Sequence, residues 1–466
     1  MQPFPAPHTP EPPMLKSPSP FSIANIRLFI LFRILFNSRF YYPVFTILFL
    51  DYGLTIEQFS LLNTVWAITI FCAEVPTGAL ADIIGRKRLV VTTSFLMVAE
   101  MALICFVPLG NGTLIFSVFL VNRILSGLAE ALASGADEAI AYDSLAAEGD
   151  TRDWPRVLSV QMRLRSVAAV VSMAVGALIY DPVMVNRLLS WIGADLQVDQ
   201  QTTMRYPIFL TLLLAIGACG VTLRIREAAA GPGQRFRPGD ILRTMTETGR
   251  MTLAAGRWIA RTPFALAVIF FGMVYDHILR LVVTLTSQYF RLIALPEASF
   301  GLIGAGMSLL GIVSPKVAER MVERFSPAAN VLWLTGLTLV ALSATAAFFP
   351  YLGLLPIALI FFLMMLESFF SSHYLNRITP SHQRATVLSF KGMAFNLAYG
   401  LIGILFAVLV GELRRRGAGS SPLPPADAAF IGAIGWLPWY ALAILVPIIA
   451  VFSLRLGKSA EISRRG

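Results

Sequence analysis

Apolar and polar positions alternate along this chain in long blocks, giving twelve apolar runs joined by shorter polar connections. The runs fall near residues 27–50, 57–81, 88–109, 114–138, 157–180 and 206–225, then 263–288, 299–321, 328–349, 353–378, 385–410 and 430–454. An α-helix rises about 1.5 Å per residue, so a run of about 20 residues crosses a hydrocarbon core about 30 Å thick. Strands of a membrane barrel would alternate over about ten residues, whereas these runs are continuous and longer. The pattern predicts an all-α polytopic membrane protein with twelve transmembrane helices.

The polar intervals set the organisation. Residues 1–21 hold eight prolines and little apolar periodicity, which predicts a disordered cytoplasmic tail; they lack the long apolar stretch and small-residue cleavage site of a signal peptide. The longest polar connection, residues 226–262, separates a first six-helix unit (22–225) from a second (263–456), and residues 457–466 form a second tail. From Arg224 to Arg261 there are eight arginines against Glu227, Asp240 and Glu247. Residues 240–260 can be read either as an amphipathic helix at the headgroups, anchored by Trp258, or as a solvated linker. Two sixes suggest duplication: Val157-Leu158-Ser159 opens segment five as Val387-Leu388-Ser389 opens segment eleven, and Glu130 and Glu367 occupy corresponding places in segments four and ten. Two parallel halves place a substrate site at their interface, near the midplane.

Composition narrows the class. The chain is 56% hydrophobic and 14% charged, with a mean hydropathy of +0.71, against about 25% charged in soluble domains. That excludes a soluble enzyme, a secreted disulfide scaffold and a nucleic-acid-binding domain. The net charge of +10 serves topology instead. With both termini cytoplasmic, the outer loops hold only Arg187, Arg205, Arg291 and Arg414 to Arg416 of the 37 basic residues, and most of the rest lie inside. Cys72, Cys105 and Cys219 all sit in apolar runs and offer neither a disulfide framework nor metal-ligand spacing. No metal and no cofactor is expected.

Charged and polar residues inside the runs are the candidate chemistry, because such groups must face a wet cavity or a partner. In segment four, Arg123, Ser126, Gly127, Glu130, Ser134 and Asp137 fall on one helix face; the rival reading is an Arg–Glu pair that locks the bundle. Segment one adds Arg33, Asn37 and Tyr41 at i, i+4, i+8 as a cavity stripe, with Arg27 and Arg39 snorkelling toward the surfaces. Segment seven carries Tyr275, Asp276, His277 and Arg280, with Asp276 and Arg280 as i,i+4 partners and Ser287 further along that face. A histidine beside a carboxylate suits proton acceptance near neutral pH, while a self-neutralised pair with His277 against a neighbouring helix is the alternative. Segment ten presents Glu367, Ser371 and Tyr374 on one face, and Asn396 of segment eleven is grouped with the cavity.

The junction of segments two and three reads Gly78-Ala-Leu80-Ala81-Asp82-Ile-Ile-Gly85-Arg86-Lys87-Arg88. Here the chain resembles the major facilitator superfamily, whose corresponding loop has the pattern G-x-L-A-D-x-x-G-R-K. The resemblance covers about residues 22–457 and implies two pseudo-symmetric six-helix bundles. It also implies a conformational latch formed by Gly78, Leu80, Asp82, Gly85, Arg86 and Lys87. Gly85 permits a tight turn and the basic pair suits an anionic inner leaflet; mere topology determinants would explain the charges but not the glycine spacing. A second copy, Ser314-Pro315-Lys316-Val317-Ala318-Glu319-Arg320, has lost its glycines. Arg123 with Gly127 resembles the family's fourth-helix R-x-x-x-G motif, whose Arg is associated with proton coupling. The E-V-P-T-G of residues 74–78 and the R-A-T-V-L-S of 384–389 look like a bacterial subgroup. Segment five lacks the Gly-Pro step of drug antiporters, and no P-E-S-P-R of sugar porters follows segment six.

The expected function is secondary active transport of a small solute by alternating access, in a bacterial inner (plasma) membrane. Proton coupling is assigned to Arg123, Glu130, Asp276, His277 and Glu367. The substrate cavity is assigned to Arg33, Asn37, Tyr41, Ser126, Arg280, Ser371, Tyr374 and Asn396. Efflux is preferred to uptake, and the partners are a small molecule, the proton and the bilayer, with no nucleic acid and a monomer as the working unit. The rivals are an uptake permease of the same fold, an intramembrane acyltransferase-like enzyme using Asp276–His277, and a transporter-like receptor or scaffold with a dry interface between halves.

Overall fold

The computed structural model describes residues 19–133, 136–226, 238–380, 383–417 and 422–465; for residues 78–79, 81–84, 238–242, 244, 385 and 452–465 it describes the backbone alone. The structure is helical throughout, with no strand among the described residues. In the first half the helices are α1 (Ala24–Asn37), α2 (Phe45–Asp51), α3 (Ile56–Ile84), α4 (Arg86–Phe106), α5 (Gly112–Ala133), α6 (Ala136–Glu148), α7 (Trp154–Tyr180), α8 (Pro182–Trp191), α9 (Gln200–Thr203) and α10 (Tyr206–Arg224). After the connecting helix α11 (Pro238–Arg261) come α12 (Pro263–Thr284), α13 (Thr286–Leu292), α14 (Phe300–Ser308), α15 (Leu310–Arg324), α16 (Pro327–Ala346), α17 (Leu354–Ile378), α18 (Arg384–Gly417) and α19 (Pro425–Arg465). Among the described residues eleven spans are long and apolar enough to cross a membrane. The twelfth predicted segment, the first in the chain, is absent from that set because it is broken. Helix α1 stops at Asn37, a turn follows, and a 3-10 step at Tyr42–Val44 leads into α2. The chain therefore crosses twelve times, in two six-helix bundles.

Local chemistry accounts for the ends of these helices. Thr55 opens α3 with a capping box: its hydroxyl accepts from the Gln58 amide and the Gln58 side chain accepts from the Thr55 amide. Gly85 closes it at φ 91°, a left-handed conformation that disfavours a β-carbon, as the motif required. The surroundings of Gly78, the side chain of Asp82 and the whole of Ser134 lie outside what is described. Arg86 reaches Asp143 in the middle of α6 at 2.5 Å, an exposed pair. The connection between the halves does form a helix, α11. It buries Ala255 and Ile259 against Leu375 and Val387 of the second bundle and leaves Arg243, Arg250, Arg257 and Arg261 exposed. It packs against both α3 and α18.

Both bundles have a broken first segment, and the two breaks lie against each other. A broken helix frees backbone groups that lipid cannot satisfy, and here each half satisfies the other. Ser287 Oγ of α13 accepts from the amides of Thr46 and Ile47 at 3.0 and 3.2 Å. Thr46 Oγ1 in turn donates to the Thr284 carbonyl at 2.6 Å, just before the break in segment seven. This junction lies at the end of the bundle opposite the one that holds Ala24 and α11; the two are called the far end and the terminal end below.

The halves are sealed together at the far end. Asp51 accepts from Arg291 Nη1 and Nη2 at 2.9 and 2.8 Å, and also from Tyr180 and Gln200. Arg291 bonds Glu297 at 2.7 Å, Asp181 accepts from the Ala298 amide at 3.2 Å, and Arg414 approaches Glu57 at 3.3 Å. Along the seam between α7 and α14, backbone meets backbone: a β-carbon at Gly301 would stand 2.0 Å from the Met173 carbonyl oxygen. Overpacking of that kind costs about 1–3 kcal/mol, and here the cheapest relief is separation of the halves. Gly301→Ala is therefore expected to shift the population toward a state open at the far end by about tenfold or more. A cysteine introduced at Thr46 in a chain without the native cysteines should then react with a water-soluble maleimide faster than in the Gly301 background; an unchanged rate refutes the seam as a gate.

Candidate substrate cavity

Between the two bundles, inside the far-end seal, lies a cavity of about 420 Å³. The broken segment one supplies Arg39, Tyr41, Tyr42 and Phe45; α3 supplies Asn63 and Trp66; α5 supplies Arg123, Ser126 and Glu130. The other half contributes Arg280, Thr284, Ser287, Phe290, Phe361 and Tyr399. A second space of about 430 Å³ adjoins it, sharing Trp66 and Glu130 and lined also by Arg33, Asn37, Glu74, Glu138 and Asn396. Arg33 there bonds Asp137 and Glu138 of α6 at 2.5 and 2.8 Å. The cavity thus continues toward the terminal end, while the far end is shut.

The polar groups in the cavity differ in how far they are satisfied. Among the described residues Arg123 bonds only Asn122 Oδ1, at 3.2 Å, and it lies over the rings of Phe45 and Phe49 at 5.3 and 5.6 Å. Among the described residues no carboxylate lies within ion-pair distance of it, so the pairing with Glu130 is not made in this state. Arg280 is neutralised by Asp276 at 2.7 Å, donates to Asn396 at 2.9 Å and stacks on Tyr399 at 5.2 Å. A cavity holding one open guanidinium, one open carboxylate and aromatic walls can bind a solute through charge, hydrogen bonds and ring faces at once.

Several residues singled out from the sequence stand elsewhere. Tyr41 reaches the central cavity, but from the turn after α1 instead of from a continuous helical stripe, and Arg33 and Asn37 line the space nearer the terminal end. His277 turns away from the interface: its ring bonds Tyr440 of α19 at 3.0 Å and the Met273 carbonyl at 2.6 Å. Glu367, Ser371 and Tyr374 do share a face, yet it lines a separate space within the second bundle. Arg27 is exposed as expected, whereas Arg39 is buried and paired with Glu100 of α4. Glu100, Glu74, Trp66 and Tyr399 were missed. A lone carboxylate in mid-segment was the available signal for Glu100, since burial of such a charge demands a partner. Ser389, in the R-A-T-V-L-S stretch, faces Glu74 of E-V-P-T-G across the halves at 3.5 Å. The two subgroup stretches therefore meet on the α3–α18 seam, where α11 also packs.

Two helical bundles enclosing a central cavity that is sealed at one end and continues to the other define a membrane transporter. The profile of the Major Facilitator Superfamily matches residues 28–402, and the chain belongs to that family. No curated protein matches it in sequence. Among solved structures it is similar to the nucleoside transporter NupG, with TM-score 0.66 and 12% identity over 92% of this chain and 98% of that one. It is also similar to a bacterial homolog of the human lysosomal transporter Spinster, in an inward-facing and unoccupied conformation, with TM-score 0.66 and 14% identity over 94% and 97% of the two chains. A D-xylose–proton symporter superposes with TM-score 0.61 and 13% identity over 91% and 97%. At such identities the likeness concerns the fold.

Proposed function

We propose that the protein moves a small amphipathic solute across a bacterial inner membrane by alternating access, coupled to the proton gradient. The observation that carries this reading is the combination of a far-end seal made between the halves with a polar central cavity that continues to the other end. The distribution of Lys and Arg supports cytoplasmic termini, so the cavity is reached from the cytoplasm in this state. Binding from that side is the first step of export. Arg123 meets an acceptor or anionic group of the solute, and the aromatic residues around it hold the apolar part. Glu130, open in the cavity and free of Arg123, is the group best placed to exchange a proton as the cavity changes side. Glu367 is the second candidate carrier, with Asp276 held in its pair with Arg280. The latch assignment of Gly78, Leu80, Asp82, Gly85, Arg86 and Lys87 belongs to the same reading. Monomers suffice, since the cavity is built within one chain.

A thermal-shift screen of metabolites and drugs on the purified protein identifies a solute, and its flux is then measured in proteoliposomes with and without an imposed pH gradient. Glu130→Gln and Glu367→Gln are expected to retain gradient-independent exchange while gradient-driven flux falls about a hundredfold or more in one of them, the size typical of losing a proton-transfer group. Full gradient-driven flux in both variants overturns the assignment to these two residues and turns attention to Asp276.

A further inference from the structure

A third cavity, about 400 Å³, lies wholly inside the second bundle, among α12, α16, α17 and α19, and shares no lining residue with the central one. Its walls are mostly apolar, with Phe264, Phe271 and Phe370 among them. Its exposed lining residues on α16 are Pro327, Ala328 and Leu332, and Leu332, 58% accessible, lies on the outer face where lipid would lie. Two of its polar groups, Glu367 and Asn330, are acceptors left open. Glu367, 3% exposed, accepts from Ser371 at 2.5 Å and from no other donor among the described residues. Asn330, 1% exposed, spends its amide NH2 on Tyr374 and the Met321 carbonyl, and its Oδ1 has no partner. A buried acceptor without a donor costs about 1–3 kcal/mol, a cost that a ligand with N–H groups would remove.

We propose that this cavity binds a compact hydrophobic amine that enters laterally from the membrane, places its ammonium against Glu367 and Asn330, and fills the aromatic walls with its apolar body. Three features select this chemistry. The acceptors and the carboxylate call for a donor that carries positive charge. The facing rings add attraction for a cation. The charged group lies at the inner end and the mouth is apolar, so a phospholipid would have to bury its phosphate beside a carboxylate. The volume lies in the range of sites for drug-sized molecules. The site is outside the central cavity, and binding there is independent of whether Glu367 carries a transported proton.

The test is equilibrium binding of tritiated 1-naphthylmethylamine to the full chain in nanodiscs, with 1-naphthylmethanol as the neutral competitor of the same shape. The amine is expected to bind at least tenfold more tightly than the alcohol. Glu367→Gln should reduce that preference to twofold or less while binding of the alcohol persists. Leu332→Trp and, separately, Ala328→Trp should each weaken amine binding at least tenfold by closing the mouth, whereas Ser308→Trp, in the central cavity, should not. Equal affinity of amine and alcohol overturns the proposal, as does binding that is lost in Ser308→Trp and retained in both mouth variants. Should Glu367→Gln fail to fold, the two mouth variants and Ser308→Trp decide the matter by themselves.

Discussion

Asp51→Ala should open the far end of the protein. The Asp51 carboxylate holds Arg291 through two hydrogen bonds that cross the halves and is fixed in turn by Tyr180 and Gln200 of its own half. Removal leaves Arg291 with Glu297, a residue of the same half. A charged hydrogen bond contributes about 1.5–3 kcal/mol, and with Arg291 30% exposed the solvent-screened pair is counted as one such bond, so the balance between closed and open far end should move by roughly ten- to a hundredfold. Folding should suffer little, because Arg291 keeps a carboxylate. Labelling of a cysteine at Ser287, which is buried behind the seal, by an impermeant maleimide applied from the far side alone checks the shift: the rate should rise by at least tenfold in the Asp51→Ala background. An unaltered labelling rate means that Asp51–Arg291 is a decoration of the loops and the seal lies elsewhere.

The largest loss of stability is expected from Glu100. Its side chain is 0% exposed, that of its partner Arg39 is 4% exposed, and the second carboxylate oxygen of Glu100 has no hydrogen-bond donor. Glu100→Ala strands a guanidinium in the interior of the first bundle, which costs about 3–5 kcal/mol when a buried pair loses one member. Arg39 retains the Phe36 carbonyl, the Tyr41 hydroxyl and the Phe36 ring, none of which carries a charge. Replacing both members with apolar residues of similar size is often neutral or stabilising, so Arg39→Met with Glu100→Leu should recover most of the loss. Thermal unfolding in detergent measures both. If the single variant unfolds with the wild type, the pair contributes nothing; if the double variant is as poor as the single, packing rather than charge is at stake.

These residues also mark where the sequence stopped being informative. A helical period shows which side chains share a face, and it placed Arg123, Ser126 and Glu130 together and Glu367, Ser371 and Tyr374 together. Period alone does not say what lies opposite that face. The segment-four stripe looks onto the other bundle, and the segment-ten stripe looks into its own. Asp51 and Arg291 stand 240 residues apart at the ends of two apolar runs, where a single charge reads as an ordinary boundary. Segment one carries Asn37-Ser38-Arg39 and Pro43 at the break, a polar cluster and a helix breaker that a count of apolar runs passes over. That break is stabilised by Thr284 and Ser287, which flank the break of segment seven in the other half. Motifs carried further than periodicity. Gly85 adopts the positive φ that its place in the loop demands, and the two subgroup stretches at 74–78 and 384–389 prove to be neighbours through Glu74 and Ser389.

Alternating access is tested most directly by double electron–electron resonance on two pairs of spin labels, in a chain with Cys72, Cys105 and Cys219 replaced by alanine. One pair, at Asn111 and Leu352, spans the halves across exposed sites of the far end; the other, at Glu148 and Glu323, spans them at the terminal end. Substitution of Asp51 by alanine should lengthen the 111–352 distance distribution and shorten the 148–323 distribution in the same sample. Distributions that stay fixed at both ends, or that lengthen together at both, would contradict a cavity that opens to one side of the membrane at a time.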